Sequence, residues 1–261
     1  MYSNPLHFDQ LKGTLQIESE LISWMLHLFN APKKAYGSTT SGGTESILLA
    51  MLTYREYAKD ILGIENPNIV ANKSIHVAFE KAAHYLNIKI KHVDINAETG
   101  LARVEDMINK IDKNTVAVAL SGMNYAHGLI DQIEDINKYI EKKNLHIWIH
   151  VDSCLGGYVS SASALLKDNR IEPIDFRLSR VGTISVDPHK YGRSPKGCSI
   201  LLFRNGTLKS KSIYISKDWN GGVYITPTFA GSRSSHAIVG AWVAMKRIGL
   251  DGVIEMYKKI I

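Results

Sequence analysis

The chemistry-bearing residues gather in a few short stretches, and the richest is SVDPHKYG, residues 185–192. An apolar run ends at Val186, Pro188 stops extended pairing and holds a turn, and His189 and Lys190 follow in a loop. A loop lysine is ordinarily a surface charge. Held near a carbonyl and able to shed its proton, it becomes a Schiff-base nucleophile. In HIWIHVDSCLGGY, residues 146–158, Asp152 directly follows an apolar run ending at Val151. Such an aspartate either caps a turn or helix, or pairs with a pyridinium nitrogen and keeps a cofactor ring protonated as an electron sink. It precedes Lys190 by 38 residues, room for a crossover between neighbouring strands. Gly156 and Gly157 behind it permit close backbone approach.

Three further stretches carry weaker signals. STTSGGTES, residues 38–46, sets Gly43 and Thr44 at a helix start, where free N–H groups and the positive end of the dipole suit a phosphate. A Gly-Gly turn capped by Thr44 is equally a common structural device, and no GxxxxGK[ST] loop is present. His76, early in SIHVAFEKAAHYL, either packs or caps locally or stacks flat on a pyridine ring; His84 reads as structural or exposed. DWNGGVYITPTFAGSR, residues 218–233, has the composition of a surface loop. Arg233 at its end offers a guanidinium that can grip a phosphate with two bonds.

The elements that must hold these residues alternate. Helical spacing runs over 15–30, 44–62, 74–86, 103–111 and 131–143. Apolar strand runs are Ile69–Val70, Ile88–Val93, Val116–Leu120, Ile147–Val151, Gly182–Val186 and Ser199–Phe203. The pattern predicts an α/β domain with a mostly parallel sheet flanked by helices. Ligands of such sheets gather beyond the carboxyl ends of the strands. With 261 residues, 45% hydrophobic and 21% charged, the chain supports a sizeable core. The net charge of +6 reads as a solvated lysine-rich surface or a preference for anionic ligands. It comes with no nucleic-acid-binding signature, so no nucleic-acid partner is expected. Cys154 and Cys198 have no CxxC spacing, which gives no disulfide framework and no metal site and fits a reducing compartment. The N-terminus lacks an apolar signal region and no run approaches the roughly 20 apolar residues of a membrane span. The expected location is cytoplasmic or peripheral to an intracellular membrane.

Taken together and in order, GSTTSGGTES, IHVAFEKAAHYL, HVDSCLGGY, SVDPHKYGRSPKG and DWNGGVYITPTFAGSR resemble the group II pyridoxal-phosphate decarboxylase family, from about residue 3 to the end. The HVDSCLGG and DWNGGVYITPTFAGSR segments are the specific parts. They bring the chain nearest to the branch of that family that cleaves carbon–carbon bonds in sphingoid-base phosphates. The resemblance implies a fold-type I large domain, pyridoxal 5'-phosphate as cofactor, and a homodimer with shared sites. It implies that Lys190 forms the Schiff base, Asp152 faces the pyridine nitrogen and His76 stacks on the ring. Gly43 and Thr44 would bind the cofactor phosphate, with His189 nearby. Asn4, His7, Lys196 and Arg233 match positions near the substrate's anionic end, and His127 matches a loop below the cofactor. The implied reaction breaks a Cα–Cβ bond to give a long-chain aldehyde and phosphoethanolamine.

The chain also departs from the family. Arg193 follows HKYG where the family has tyrosine, adding a cation expected near the phosphate, and SGMNYAHG lacks the family's proline-rich form. The expected organisation is an N-terminal segment and helix at 1–30 leading into a cofactor-binding large domain at 31–261. The C-terminal small domain of the family is missing from this organisation, which is expected to leave apolar surface uncovered. An amino-acid decarboxylase of the same family, and an inactive fragment serving as a binding or dimerisation module, are the alternative readings.

Overall fold

The computed structural model describes residues 12–261. Its strands are β1 (Tyr36–Thr40), β2 (Asn68–Asn72), β3 (Lys89–Val93), β4 (Thr115–Ser121), β5 (Trp148–Asp152), β6 (Val181–Val186) and β7 (Ser199–Phe203). They form one sheet in the order β1-β7-β6-β5-β4-β2-β3. β7 runs antiparallel to β1 and β6, and every other pair is parallel. All seven residues of β4 are buried, as expected for a central strand covered on both faces.

Two helical layers provide that cover. α2 (Gly43–Tyr57), prolonged by a wide π turn at Ala58–Leu62, and α3 (Ala78–Leu86) pack on one face. Ala50, Ala82, Ala117 and Ala119 line this interface, and their short side chains let the helices approach the sheet closely. The other face carries α1 (Lys12–Leu28), α4 (Val104–Lys110), α5 (Ile133–Lys142), α6 (Gly157–Leu166) and α8 (Ser235–Ile260). A short α7 (Gly206–Ser210) follows β7, capped by the Asn205 side chain accepting the Leu208 N–H. α1 gives Leu21, Met25 and Leu28 to the same core as Val118, Leu120 and Val151. α8 is kinked at Gly249, whose φ of 61° and ψ of −179° interrupt the helix. A hairpin of β8 (Tyr214–Ser216) and β9 (Tyr224–Thr226) stands apart from the main sheet.

The α/β expectation holds, and the six strand runs read from the sequence are all strands. Differences are concentrated where the composition is small or polar. β1 reads YGSTT and has no apolar run; it is a strand because it pairs residue for residue with the apolar β7. α6 reads GYVSSASALL; the Ser160 and Ser161 hydroxyls donate to carbonyls three or four residues back, and that of Ser163 donates forward to the Asp168 carbonyl. The helix expected over 74–86 begins only at Ala78, because Ser74 and His76 are engaged in local turn bonds. Residues 218–233 contain a hairpin strand rather than loop alone. Among the described residues no helix is long and apolar enough to cross a membrane.

Arg204 ties the connection before β6 to the sheet. Its Nε donates to the Val181 carbonyl at 2.6 Å, and its Nη2 donates to those of Phe176 and Leu178 at 2.8 and 2.5 Å. Arg204→Met keeps the stem but leaves these buried acceptors unpaired. It is expected to cost about 2–4 kcal/mol in chemical denaturation without changing the far-ultraviolet spectrum of the native state. A loss below about 0.5 kcal/mol would contradict this role.

Candidate active site

The carboxyl ends of β4, β5 and β6 lie along one edge of the sheet, in register: Asp152 stands beside Ser121 on β4 and Ser185 on β6. Asp187 to Lys190 follow β6 directly, α2 opens two residues after β1, and His76 lies in the turn between β2 and α3. These segments enclose a cleft of about 410 Å³ lined by Ser41 to Glu45, His76, Asp152, Cys154, Asp187, His189 and Lys190. Six of the residues singled out in the sequence (Gly43, Thr44, His76, Asp152, His189 and Lys190) therefore share one cavity.

Lys190 leans on Asp187, with Nζ 3.2 Å from Oδ2. The Asp187 side chain is 2% exposed and that of Lys190 33%. The second carboxylate oxygen, Oδ1 of Asp187, is buried and accepts no hydrogen bond among the described residues. Burial opposes the lysine charge, while Cys154 once ionised, Asp187 and Asp152 favour it. The net effect is a pKa above the ordinary lysine value. The Cys154 thiol is pushed well above its usual range by burial, then by Asp152 and Asp187, so it is neutral near pH 7. His189 lies 3.2 Å through Nδ1 from the Cys198 carbonyl, which can only accept, so Nδ1 carries the proton. Its Nε2 sits 3.6 Å from Asp187 Oδ2.

Asp152 is held by bonds to a single oxygen. Oδ1 accepts from the Cys154 N–H and the Ser185 hydroxyl, both at 3.1 Å. Behind Ser185 a buried chain continues: His150 Nε2 at 3.3 Å, then His150 Nδ1 to Thr183 Oγ1 at 2.8 Å, then Tyr54 at 2.6 Å. An ionised carboxylate only accepts, so donation runs one way, from Tyr54 through Thr183, His150 and Ser185 to Asp152. Burial lowers the His150 pKa to about 4 and keeps the ring neutral. The same burial, partly offset by the Thr183 bonds, pushes the Tyr54 hydroxyl above its usual range.

The opening of α2 is shaped for close approach. A Cβ on Gly43 would fall 2.8 Å from Asp187 Oδ2 and 2.9 Å from Cys154 Sγ. Glu45 Oε2 accepts both the backbone N–H and the hydroxyl of Ser41 at 2.6 Å and closes the turn. The N–H groups of Gly43, Thr44 and Glu45 lie in the first helical turn, where none has an intrahelical acceptor, at the positive end of the dipole. His76 is exposed, and its Nδ1 accepts the Ala78 N–H at 3.1 Å, which fixes the ring at the cleft wall. Lysine, a facing carboxylate, a ring and a glycine-built anion cup are the donor set that a phosphorylated pyridine aldehyde requires, so the residues fit that cofactor.

A second cleft of about 360 Å³ shares Ser41 and Glu45 with the first and is lined by Lys196, Arg233 and His236. Lys196 is exposed there. Arg233 differs from the open fork expected of it. Its guanidinium is ion-paired with buried Glu18, Nη1 also donates to Thr39 Oγ1 at 2.7 Å, and Nη2 donates to Glu18 Oε2 at 3.3 Å. Arg193 departs further: it lines a different cleft with Tyr191, Arg247 and Lys259, not the one that holds Lys190. The backbone turns left-handed at Arg193, with φ 53°, and carries the side chain towards α8. His127 is exposed in the loop after β4, its N–H donating to Asn124 Oδ1 at 2.8 Å, and it lines neither of these clefts. Asn4 and His7 lie outside the described residues.

Sequence reasoning passed over Asp187, Cys154, Glu45 and His236. Asp187 sat inside the quoted motif, three residues before Lys190. The other three enter the two clefts only through the packing of separate segments.

The sequence pattern described as the pyridoxal-dependent decarboxylase conserved domain matches residues 6–261. The sphingosine-1-phosphate lyase of Saccharomyces cerevisiae is 40% identical over 99% of this chain, and that of Drosophila melanogaster 38% identical over all of it. The chain spans 44% and 47% of those two relatives. The structure of a Burkholderia pseudomallei sphingosine-1-phosphate lyase superposes with a TM-score of 0.94 at 35% identity, covering 99% of this chain and 60% of that one. A glutamate decarboxylase of Lactobacillus brevis shares the fold, with a TM-score of 0.84 at 24% identity over 99% of this chain and 60% of its own.

The neutral His150 has a consequence for stability. Its folded pKa of about 4 lies below the ordinary 6.5, so the unfolded chain binds more protons between those values. Stability present above pH 6.5 is therefore lost as pH falls towards 4, on the order of 3 kcal/mol in total. Asp131, pushed up to about 6 by burial, slopes the other way in the same window, so the informative quantity is a difference between proteins. His150→Asn is expected to lose less stability than the unmutated chain in urea titrations taken from pH 7 to 4. Equal acid slopes would contradict a neutral buried His150.

Proposed function

This chain belongs to the pyridoxal-dependent decarboxylase family, and from that premise we propose that it is the cofactor-binding large domain of a carbon–carbon lyase acting on sphingoid-base phosphates. The observation that carries the reading is the convergence of Lys190, Asp152, His76 and the Gly43–Thr44 turn on one cleft. Pyridoxal phosphate, when bound, supplies the electron sink that takes up the charge left at Cα as the Cα–Cβ bond breaks.

The chain's own residues do the rest. Lys190 is the covalent anchor and, once released, an amine placed to carry a proton. Asp152 presents its carboxylate to a ring nitrogen, and the donor chain from Tyr54 holds that carboxylate in place by hydrogen bonding. His76 offers a flat face at the cleft wall. Gly43 and Thr44 give the cofactor phosphate N–H donors at a helix start, and His189 borders them. The second cleft, joined to the first at Ser41 and Glu45, takes the phosphate of the substrate through Lys196, with Arg233 at its border. The family resemblance assigns Asn4 and His7 to the substrate's anionic end and His127 to a loop near the cofactor. Residues 31–261 form the domain, with α1 packed into its core. The relatives' names, sphingosine-1-phosphate lyases, support this substrate class over amino acids. A location peripheral to an intracellular membrane suits a lipid substrate.

The protein is expected to act as a homodimer. Tyr214, Trp219 and Val223 are 62%, 59% and 66% exposed on the hairpin, and apolar exposure of this kind marks a surface that meets another chain. Replacing Trp219 and Val223 by Ser is expected to raise the dimer dissociation constant at least tenfold in analytical ultracentrifugation, about 1.4 kcal/mol or more. An unchanged constant would place the interface elsewhere.

The function itself is tested with the cofactor-loaded protein and dihydrosphingosine phosphate, following long-chain aldehyde by mass spectrometry. Aldehyde release that Lys190→Ala reduces by at least about a thousandfold is the expected result. Carbon dioxide from amino acids instead, or no turnover of either substrate, would overturn the lyase reading.

A further inference from the structure

Among the described residues Asp187 is the one carboxylate ion-paired with Lys190, and no role has been given to it above. It is 2% exposed, lies 3.2 Å from the lysine Nζ, and keeps Oδ1 buried without a hydrogen bond among the described residues. It also sits against Gly43, where a Cβ would fall 2.8 Å from Oδ2 and 3.2 Å from Oδ1. A buried carboxylate with an unmade bond is costly unless a cation stays beside it. The cation present is the Lys190 ammonium, three residues along the same turn, and the turn is fixed by the Lys190 N–H donating to the Asp187 carbonyl at 3.2 Å.

We propose that Asp187 is a positioning residue for Lys190: its buried carboxylate holds the lysine ammonium against the floor of the cleft and sets how readily that amine becomes a nucleophile. The proposal rests on the reading of Lys190 as the cofactor anchor. An ammonium has no lone pair, so the lysine must first give its proton to solvent. The free amine then adds to a carbonyl carbon, and water leaves as the imine forms. Holding the ammonium delays the first step and keeps the lysine aimed into the cleft rather than out into solvent. Of the groups facing Lys190, Asp187 and Asp152 favour its charge and burial opposes it; Cys154 is a neutral thiol near pH 7 and favours the charge only once ionised, Glu45 across the cleft is acidic, and His76 and His189 are imidazoles on the walls.

The test needs no cofactor. Trace acetylation with acetic anhydride, read by mass spectrometry across pH 6–11 (a range of about this width spans the ordinary lysine pKa), gives the protonation midpoint of Lys190 directly. In the unmutated protein that midpoint is expected above the mean of the solvent-exposed lysines. In Asp187→Asn it is expected to fall, so that labelling of Lys190 near pH 8 rises about three- to tenfold while other lysines are unchanged. Asp187→Ser, smaller and also uncharged, is expected to behave alike, and circular dichroism checks that both variants keep the fold. A midpoint at or below the exposed mean in the unmutated protein, or one that neither substitution moves, would overturn the proposal. Failure of Lys190 to take up pyridoxal phosphate would instead overturn the anchor reading, and the two results are measured separately.

Discussion

The site depends on the register of three parallel strands. β4, β5 and β6 end level with one another, so Ser121, Asp152 and Ser185 stand side by side at the sheet edge. Parallel pairing forces each strand to return by way of a crossover, and every crossover leaves the same edge. A slip of one residue in β5 would turn Asp152 to the opposite face and His150 out of its buried slot. The slot is specific: His150 packs edge-on against Phe79 at 5.5 Å and bonds Thr183 and Ser185 on the neighbouring strand. The same contacts that fix the register therefore hold the carboxylate.

Charge in the cleft is balanced by pairing and by burial. Asp152 is supported by a neutral donor chain, Asp187 by Lys190, and Cys154 is kept as a thiol between them. The arrangement leaves two buried oxygens, Asp187 Oδ1 and Glu45 Oε1, without hydrogen bonds among the described residues. Both belong to residues that line the same cavity.

Much of this was legible in the sequence because parallel strands are apolar runs and their ends are punctuated by Asp, Pro and Gly. The strand runs, the order of motifs and the six residues around the first cleft could all be read from composition, spacing and family resemblance. β1 and α6 escaped because Ser, Thr and Gly carry little periodic signal; tertiary pairing decides them. Side-chain direction was the other limit. The sequence offered Arg233 to an anion, but Glu18, 215 residues away, claims its guanidinium. It offered Arg193 to the same pocket, but a left-handed turn sends it elsewhere. The relay from Tyr54 to Asp152 joins three segments that no local pattern connects.

In the proposed function, geometry rather than basicity selects Lys190 as the anchor. Lys209 makes the comparison sharp. Burial first, then Arg233, lowers its pKa to about 8, so it is the readier amine at neutral pH, yet it lines neither cleft. Incubation with pyridoxal phosphate, reduction with borohydride and peptide mass spectrometry locate the lysine that binds. A stoichiometric adduct on Lys190 alone is the predicted result. An adduct on Lys209, or one spread over the surface lysines, would contradict the account.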